Sequence, residues 1–127
     1  TAPVGTTMPL FAGAVGKVFM ALKEDDLASN LIKEQGLPHY TPKSITDPST
    51  YMAEIELVRQ QGYALDDEEY LTGVRAIAVA LQNLKGPAMA VWVVGMTNNM
   101  DDDKIKQVVD ITHEAANKLR ETVDENI

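Results

Sequence analysis

The order of elements predicts an α+β domain in which helices pack against an antiparallel sheet. Three observations lead there. Apolar residues recur at helical spacing in four segments, which begin near residues 11, 27, 48 and 101. Between the third and the fourth, segments 74–81 and 89–96 are short, nearly continuous apolar runs of strand length. Gly86-Pro87 separates those two segments, where a hairpin needs a turn.

The elements follow in chain order. Phe11, Ala14, Val15, Val18, Phe19 and Leu22 form one stripe of a first helix, with Pro9 and Gly13 near its start. Lys23-Glu24-Asp25-Asp26 interrupts it. Asp25 or Asp26 is then the expected N-cap of a second helix that carries Leu27, Leu31 and Ile32 and ends at Gly36. Residues 37–45 hold two prolines and read as an extended connector. Asp47-Pro48 starts a third helix, because the carboxylate can accept an orphan N–H and proline suits the first helical position. That helix buries Tyr51, Met52, Ile55 and Val58 and stops at Gly62.

Residues 63–65 are short and apolar. In 74–81, Ala76, Ala78 and Ala80 share one face of a strand and Ile77, Val79 and Leu81 the other. Residues 83–87 form the turn and 89–96 the partner strand. Both faces of this hairpin are apolar, so both are expected to be covered. The last helix spans residues 101–123, with Asp101, Asp102 and Asp103 at its positive end. Its stripe is Ile105, Val108, Val109, Thr112, Ala115, Ala116, Leu119 and Val123.

A length of 127 residues fits one domain. Apolar residues make up 45% and charged residues 24%, the balance of a globular chain. The formal net charge of −8 repels phosphate polyanions and anionic lipid, so this stretch is expected to bind neither nucleic acid nor membrane by itself. With no cysteine there is no disulfide scaffold, thiolate zinc site, thiol nucleophile or iron–sulfur cluster. No cofactor or metal is expected, and a reducing, cytoplasmic setting is. No apolar run reaches the roughly 20 residues of a membrane span. The chain opens on Thr1 rather than Met, without a basic-then-apolar leader pattern.

Asp66-Asp67-Glu68-Glu69 is the densest charge cluster. Four carboxylates can bind a hard cation or supply an acid/base pair, but neighbours on a strand alternate faces and cannot all converge. A solvated loop is the expectation, with one member pointing inward; Asp66 then shares a face with Glu68, opposite Leu65 and Asp67. Gly13-Ala14-Val15-Gly16-Lys17 lacks the glycine and hydroxyl of a Walker loop, since Phe11 and Val18 occupy those positions. Its small residues suit close backbone approach, and a helix N-terminus there suits an anionic group. His39 and His113 have no nucleophile partner and are expected to be structural or exposed. The six methionines read as core filler, and Trp92 as a core or interface residue whose N–H needs an acceptor.

Three segments, taken together, resemble the effector-binding domain of the IclR family of bacterial transcription regulators. Pro9-Leu10-Phe11-Ala12-Gly13-Ala14-Val15-Gly16-Lys17 is similar to the family's Pro-Leu-His-Ala-Thr-Ala-x-Gly-Lys. Tyr40-Thr41-Pro42-Lys43-Ser44-Ile45-Thr46-Asp47 is similar to its Tyr-Thr-Pro-x-Thr-Ile-Thr-Asp connector. Gly62-Tyr63-Ala64-Leu65-Asp66-Asp67-Glu68-Glu69, with Gly73 and Arg75 following, resembles its Gly-Tyr-Ala-x-Asp-x-Glu-Glu-x-x-x-Gly-x-Arg run. Their order and spacing cover nearly the whole chain.

The resemblance implies a GAF-like fold, a curved antiparallel sheet flanked by helices. It implies a ligand-sensing domain without enzymatic activity that binds a small metabolite, often a carboxylic acid or an aromatic compound. It also implies dimers or tetramers, and a winged helix-turn-helix that carries DNA binding. Against the family, residues 1–127 are expected to be an N-terminally truncated effector domain that lacks its first helix and strands as well as the DNA-binding domain. The sheet is then expected to expose an edge that partner chains cover. Ligand binding shifts populations rather than driving a reaction.

Carried over residue by residue, the resemblance implies a pocket of Ala14, Val15, Gly16, Asp66, Val74, Ala76, Val93 and Gly95. The chain departs from the pattern at Phe11, where the family has His, and at Ala76, where it often has Cys. It departs again at Val93-Val94-Gly95-Met96, which replaces Ser-x-Ser-Gly. Without those hydroxyls, the expected ligand is more apolar and donates a hydrogen bond to Asp66, as a phenol or an alcohol does. Two competing readings are an oligomerisation module with a degenerate pocket and a small acid/base enzyme using Asp66, Glu68 or Glu69.

Overall fold

The structure, a computed structural model, describes residues 3–81 and 86–125. The helices are α1 (Gly13–Ala21), α2 (Asp25–Gln35), α3 (Pro48–Gln61) and α4 (Asp102–Glu125). The strands β1 (Ala64–Asp67), β2 (Val74–Ala80) and β3 (Ala90–Met96) form an antiparallel sheet in the order β1-β2-β3. The α+β class and the hairpin pairing are as expected; residues 83–85 of the expected 83–87 turn lie outside the described residues.

Register decides which side chains share a face. Asp66 stands opposite Ala76, and Ala76 opposite Val94; Ala64 and Trp92 flank Ala78. One face is therefore Ala64, Asp66, Val74, Ala76, Ala78, Ala80, Trp92 and Val94. Its alanines let α1 lie close, and Ala14 and Val18 pack on Ala64, Ala76, Ala78 and Ala80. The other face carries Leu65, Ile77, Val79 and Val91, which pack under Ile105, Val109 and Ala116 of α4. A third cluster joins Phe11 and Met20 to Ala28, Ile32, Tyr51 and Ile55, and this holds α2 and α3 beside α1.

The caps differ in how they work. Asp47 Oδ2 accepts the Thr50 N–H at 2.9 Å, and Gly62 closes α3 at φ 83. At α2 the N-cap is Glu24, without a side-chain bond; Asp25 and Asp26 sit inside the first turn, where their charge meets the positive helix end. Asp101 caps α4 by accepting the Lys104 N–H at 2.8 Å.

Three expectations need correction. Lys17 and Met20 are as buried in α1 as the predicted stripe, whereas Leu22 is exposed. The helix runs between the sheet and α3, so no side of it belongs to solvent alone. Leu27 and Leu119 are also exposed, at the margins of their stripes. Finally, β2 is covered on both faces but β3 is not. Val94 is 49% and Met96 56% exposed, because α1 reaches only the Ala90–Trp92 end of that strand.

The two faces of β2 should respond oppositely to side-chain volume. Ile77→Ala leaves a cavity under α4 and should cost about 2–5 kcal/mol. Ala78→Leu overpacks the α1 side and should cost about 1–3 kcal/mol. Urea denaturation measures both, and a loss near zero for either is inconsistent with this packing.

Candidate ligand-binding site

The acidic run is not a solvated loop. Its four carboxylates diverge, and each meets a different partner. Asp66, the last inward residue of β1, is 3% exposed. Its Oδ1 accepts the Glu69 N–H at 2.7 Å. Its Oδ2 lies so close to Gly13 that a Cβ there would be 2.6 Å away; Gly13 also has φ +54, so only glycine fits on both counts. Asp67 points to the other face, where its Oδ1 accepts from Arg75 Nε at 3.0 Å. Arg75 continues to the Met100 carbonyl and to Asp102, fastening β2 to the start of α4.

Glu68 takes φ 59, which ends strand alternation at Asp67. Instead of sharing a face with Asp66, its carboxylate turns back to accept the Gly73 N–H at 2.7 Å and Lys43 Nζ at 3.0 Å. Glu69 reaches the opposite way, to Lys17 Nζ at 2.8 Å. The connector pins this turn from outside: Thr41 Oγ1 donates to the Glu68 carbonyl and Ser44 Oγ to that of Glu69. The acid/base pair weighed for Asp66, Glu68 and Glu69 is therefore not assembled.

Lys17 is the site residue that sequence reasoning passed over. It is 2% exposed, and its ammonium also donates to the Leu65 carbonyl at 2.7 Å and pairs with Glu54 at 3.3 Å. A lysine amid small residues in an otherwise apolar helix was the available signal.

Beside Asp66 the uncovered part of the alanine face opens into a cavity of ≈ 370 Å³. Its floor is Val74 and Ala76 of β2 with Trp92 and Val94 of β3; Met8, Tyr70 and Leu71 complete the wall. Tyr70 stands edge-on to Tyr40, with ring centroids 4.9 Å apart. The indole Nε1 of Trp92 is buried and has no hydrogen-bond partner among the described residues. Burial pushes the Asp66 carboxyl above its ordinary 3.8. The Glu69 backbone N–H opposes that rise, the Glu69 charge adds to it, and the Lys17 charge opposes it.

Of the eight residues expected to form a pocket, the structure brings Asp66, Val74 and Ala76 to this cavity. Ala14 is buried in the core under the sheet. Val15 and Gly16 line a second hollow with Pro9, Leu10 and Phe19, and Met8 lies between the two, lining both. A Cβ on Gly16 would lie 2.8 Å from the Leu10 carbonyl oxygen, so its smallness serves a close chain approach. Val93 and Gly95 fall on the α4 face, where Gly95 makes room for Met100. Trp92 and Val94 take their place because they, not Val93 and Gly95, share parity with Ala76. No group of three or more metal-binding side chains occurs among the described residues. His39 is exposed, and His113 stands against Tyr63 at 6.5 Å, near Gly62.

A family model described as the bacterial transcriptional regulator IclR C-terminal matches residues 1–121. The HTH-type transcriptional regulator BhcR of Paracoccus denitrificans is 34% identical over 118 residues, which cover 92% of this chain and 42% of the relative. The p-hydroxybenzoate hydroxylase transcriptional activator of Acinetobacter baylyi is 33% identical over 122 residues, 94% of this chain and 45% of the relative. Among solved structures, the inducer-binding domain of a PobR double mutant from Acinetobacter, in complex with 3-hydroxybenzoic acid, superposes with a TM-score of 0.83. It is 33% identical and covers 93% of this chain and 69% of that one. The chain spans less than half the length of the curated relatives it matches.

Two outcomes test this geometry. Lys17→Met leaves Glu69 unpaired in a largely buried place and should cost about 3–5 kcal/mol in urea denaturation; a loss under about 0.5 kcal/mol contradicts the ion pair. For Asp66, the folded carboxyl lies above its unfolded value, so the native state holds the proton more tightly. Its unfavourable contribution is absent below the unfolded pKa and grows as pH rises through the raised one. The stability of Asp66→Asn relative to the parent should therefore improve as pH climbs from about 3 to 7. A difference that is flat or falling over that range excludes the assignment.

Proposed function

The chain belongs to the IclR family of bacterial transcriptional regulators, as the C-terminal domain of such a protein, and on that premise we propose that it is a small-molecule sensor. The observation that carries this reading is the cavity beside Asp66, which is apolar on most sides and has one buried carboxylate to orient a ligand. Its ligand is a small, largely apolar molecule with a hydrogen-bond donor for Asp66. Binding favours whichever arrangement of the whole regulator holds the ligand better, and DNA affinity follows through a separate DNA-binding part. The 3-hydroxybenzoic acid in the PobR structure supports a monocyclic aromatic ligand as the size class.

A second reading gives the domain a role in joining copies of the protein. It rests on β3, a sheet edge among the described residues, which exposes Val94 and Met96. The two readings are compatible, because a cavity that opens beside an edge can be closed by what pairs there.

Thermal unfolding against a panel of monocyclic phenols, alcohols, amines and acids tests the sensor. A compound at about a hundredfold its dissociation constant should add about 2.7 kcal/mol. Val94→Phe, at the half-exposed wall, should remove that gain while leaving the fold intact. Gains that persist in Val94→Phe, or no gain from any compound, count against the sensor.

A further inference from the structure

Resting on the ligand-sensing reading, we propose that the cavity beside Asp66 takes a ligand with a positively charged nitrogen, an amine or quaternary ammonium on an otherwise apolar frame. Charge is the first argument. Asp66 is the one charged side chain that lines the cavity among the described residues. The nearby cations are engaged elsewhere. Lys17 is committed to Leu65, Glu69 and Glu54. Arg75 lies on the opposite face with Asp67 and Asp102, and Lys43 pairs outside with Glu68. A carboxylate ligand would meet a buried like charge, and no base among the described lining residues answers it. A neutral hydroxyl can donate to Asp66 but leaves its charge uncompensated.

Aromatic surface is the second argument. Tyr70 and Trp92 both line the cavity that contains the carboxylate, and the Tyr40 edge contact steadies the Tyr70 ring. Aromatic faces attract cations, tryptophan most strongly, and the attraction grows when water is excluded. A carboxylate buried by the fold, two aromatic rings and an apolar floor of Val74 and Ala76 together suit an ammonium group with a hydrocarbon body. Among the described residues no base lines this cavity beside Asp66.

Three probes of matched size decide it: phenethylamine, 2-phenylethanol and phenylacetate, titrated calorimetrically into the purified protein. The amine should bind about tenfold or more tightly than the alcohol, and phenylacetate should bind most weakly. Asp66→Asn should abolish the amine's advantage, because the amide keeps an acceptor oxygen for the alcohol but no charge for the ammonium. Trp92→Leu should weaken the amine more than the alcohol. If Asp66→Asn does not fold, the ranking of the three probes on the parent protein still decides. Equal affinity for amine and alcohol, or tightest binding of phenylacetate, overturns the cation assignment while the sensor reading stands. Absence of binding by all three, together with a silent thermal panel, overturns both.

Discussion

A buried ammonium holds this domain together around its site. Lys17 enters the interior on α1 and ends on the Leu65 carbonyl and the carboxylates of Glu69 and Glu54. One side chain thereby ties α1 to the end of β1, to the turn that follows and to α3. Such a group is stable in the interior only because its acceptors come from three directions. The consequence for function is selective. Lys17 neutralises Glu69 and leaves Asp66, three residues earlier, beside the cavity with backbone N–H support but no ion pair of its own among the described residues.

The alanine face of β2 is the second half of the same design. Ala76, Ala78 and Ala80 admit α1 at close range, which brings Lys17 to the acidic turn and Gly13 against Asp66. Toward Val74 and Val94 the helix no longer covers the sheet, and beyond Ala76 the face opens into the cavity. Closeness at one end and space at the other thus come from a single strand.

Much of the fold was legible in the chain. Asp47-Pro48 and Gly62 bound α3 because capping chemistry is local. The alternation of alanine with bulkier residues assigned both faces of β2. What was not legible depended on tertiary context. A helical stripe separates inside from outside only when a helix has an outside, and α1, set between sheet and α3, buries Lys17 as well as Val18. The acidic run looked solvated because Lys17 and Lys43 are distant in sequence and Arg75 meets Asp67 only through the pairing of β1 with β2. Asp66, Val74 and Ala76 reach the cavity through a motif; Val93 and Gly95 do not, because pairing of Ala76 with Val94 sets the parity of β3. Tyr70 and Trp92 carried no motif signal at all.

The central claim is that ligand recognition occurs at Asp66 and not at the hollow beside Val15 and Phe19. Nitrogen-15 correlation spectra, recorded while a compound selected by thermal shift is titrated in, locate binding directly. The chain has a single tryptophan, so the indole N–H of Trp92 gives one distinctive peak. The account predicts that this peak moves together with the amides of Glu69, Tyr70 and Ala76. Movement centred on Val15, Gly16 and Phe19, with the indole peak unchanged, would contradict it.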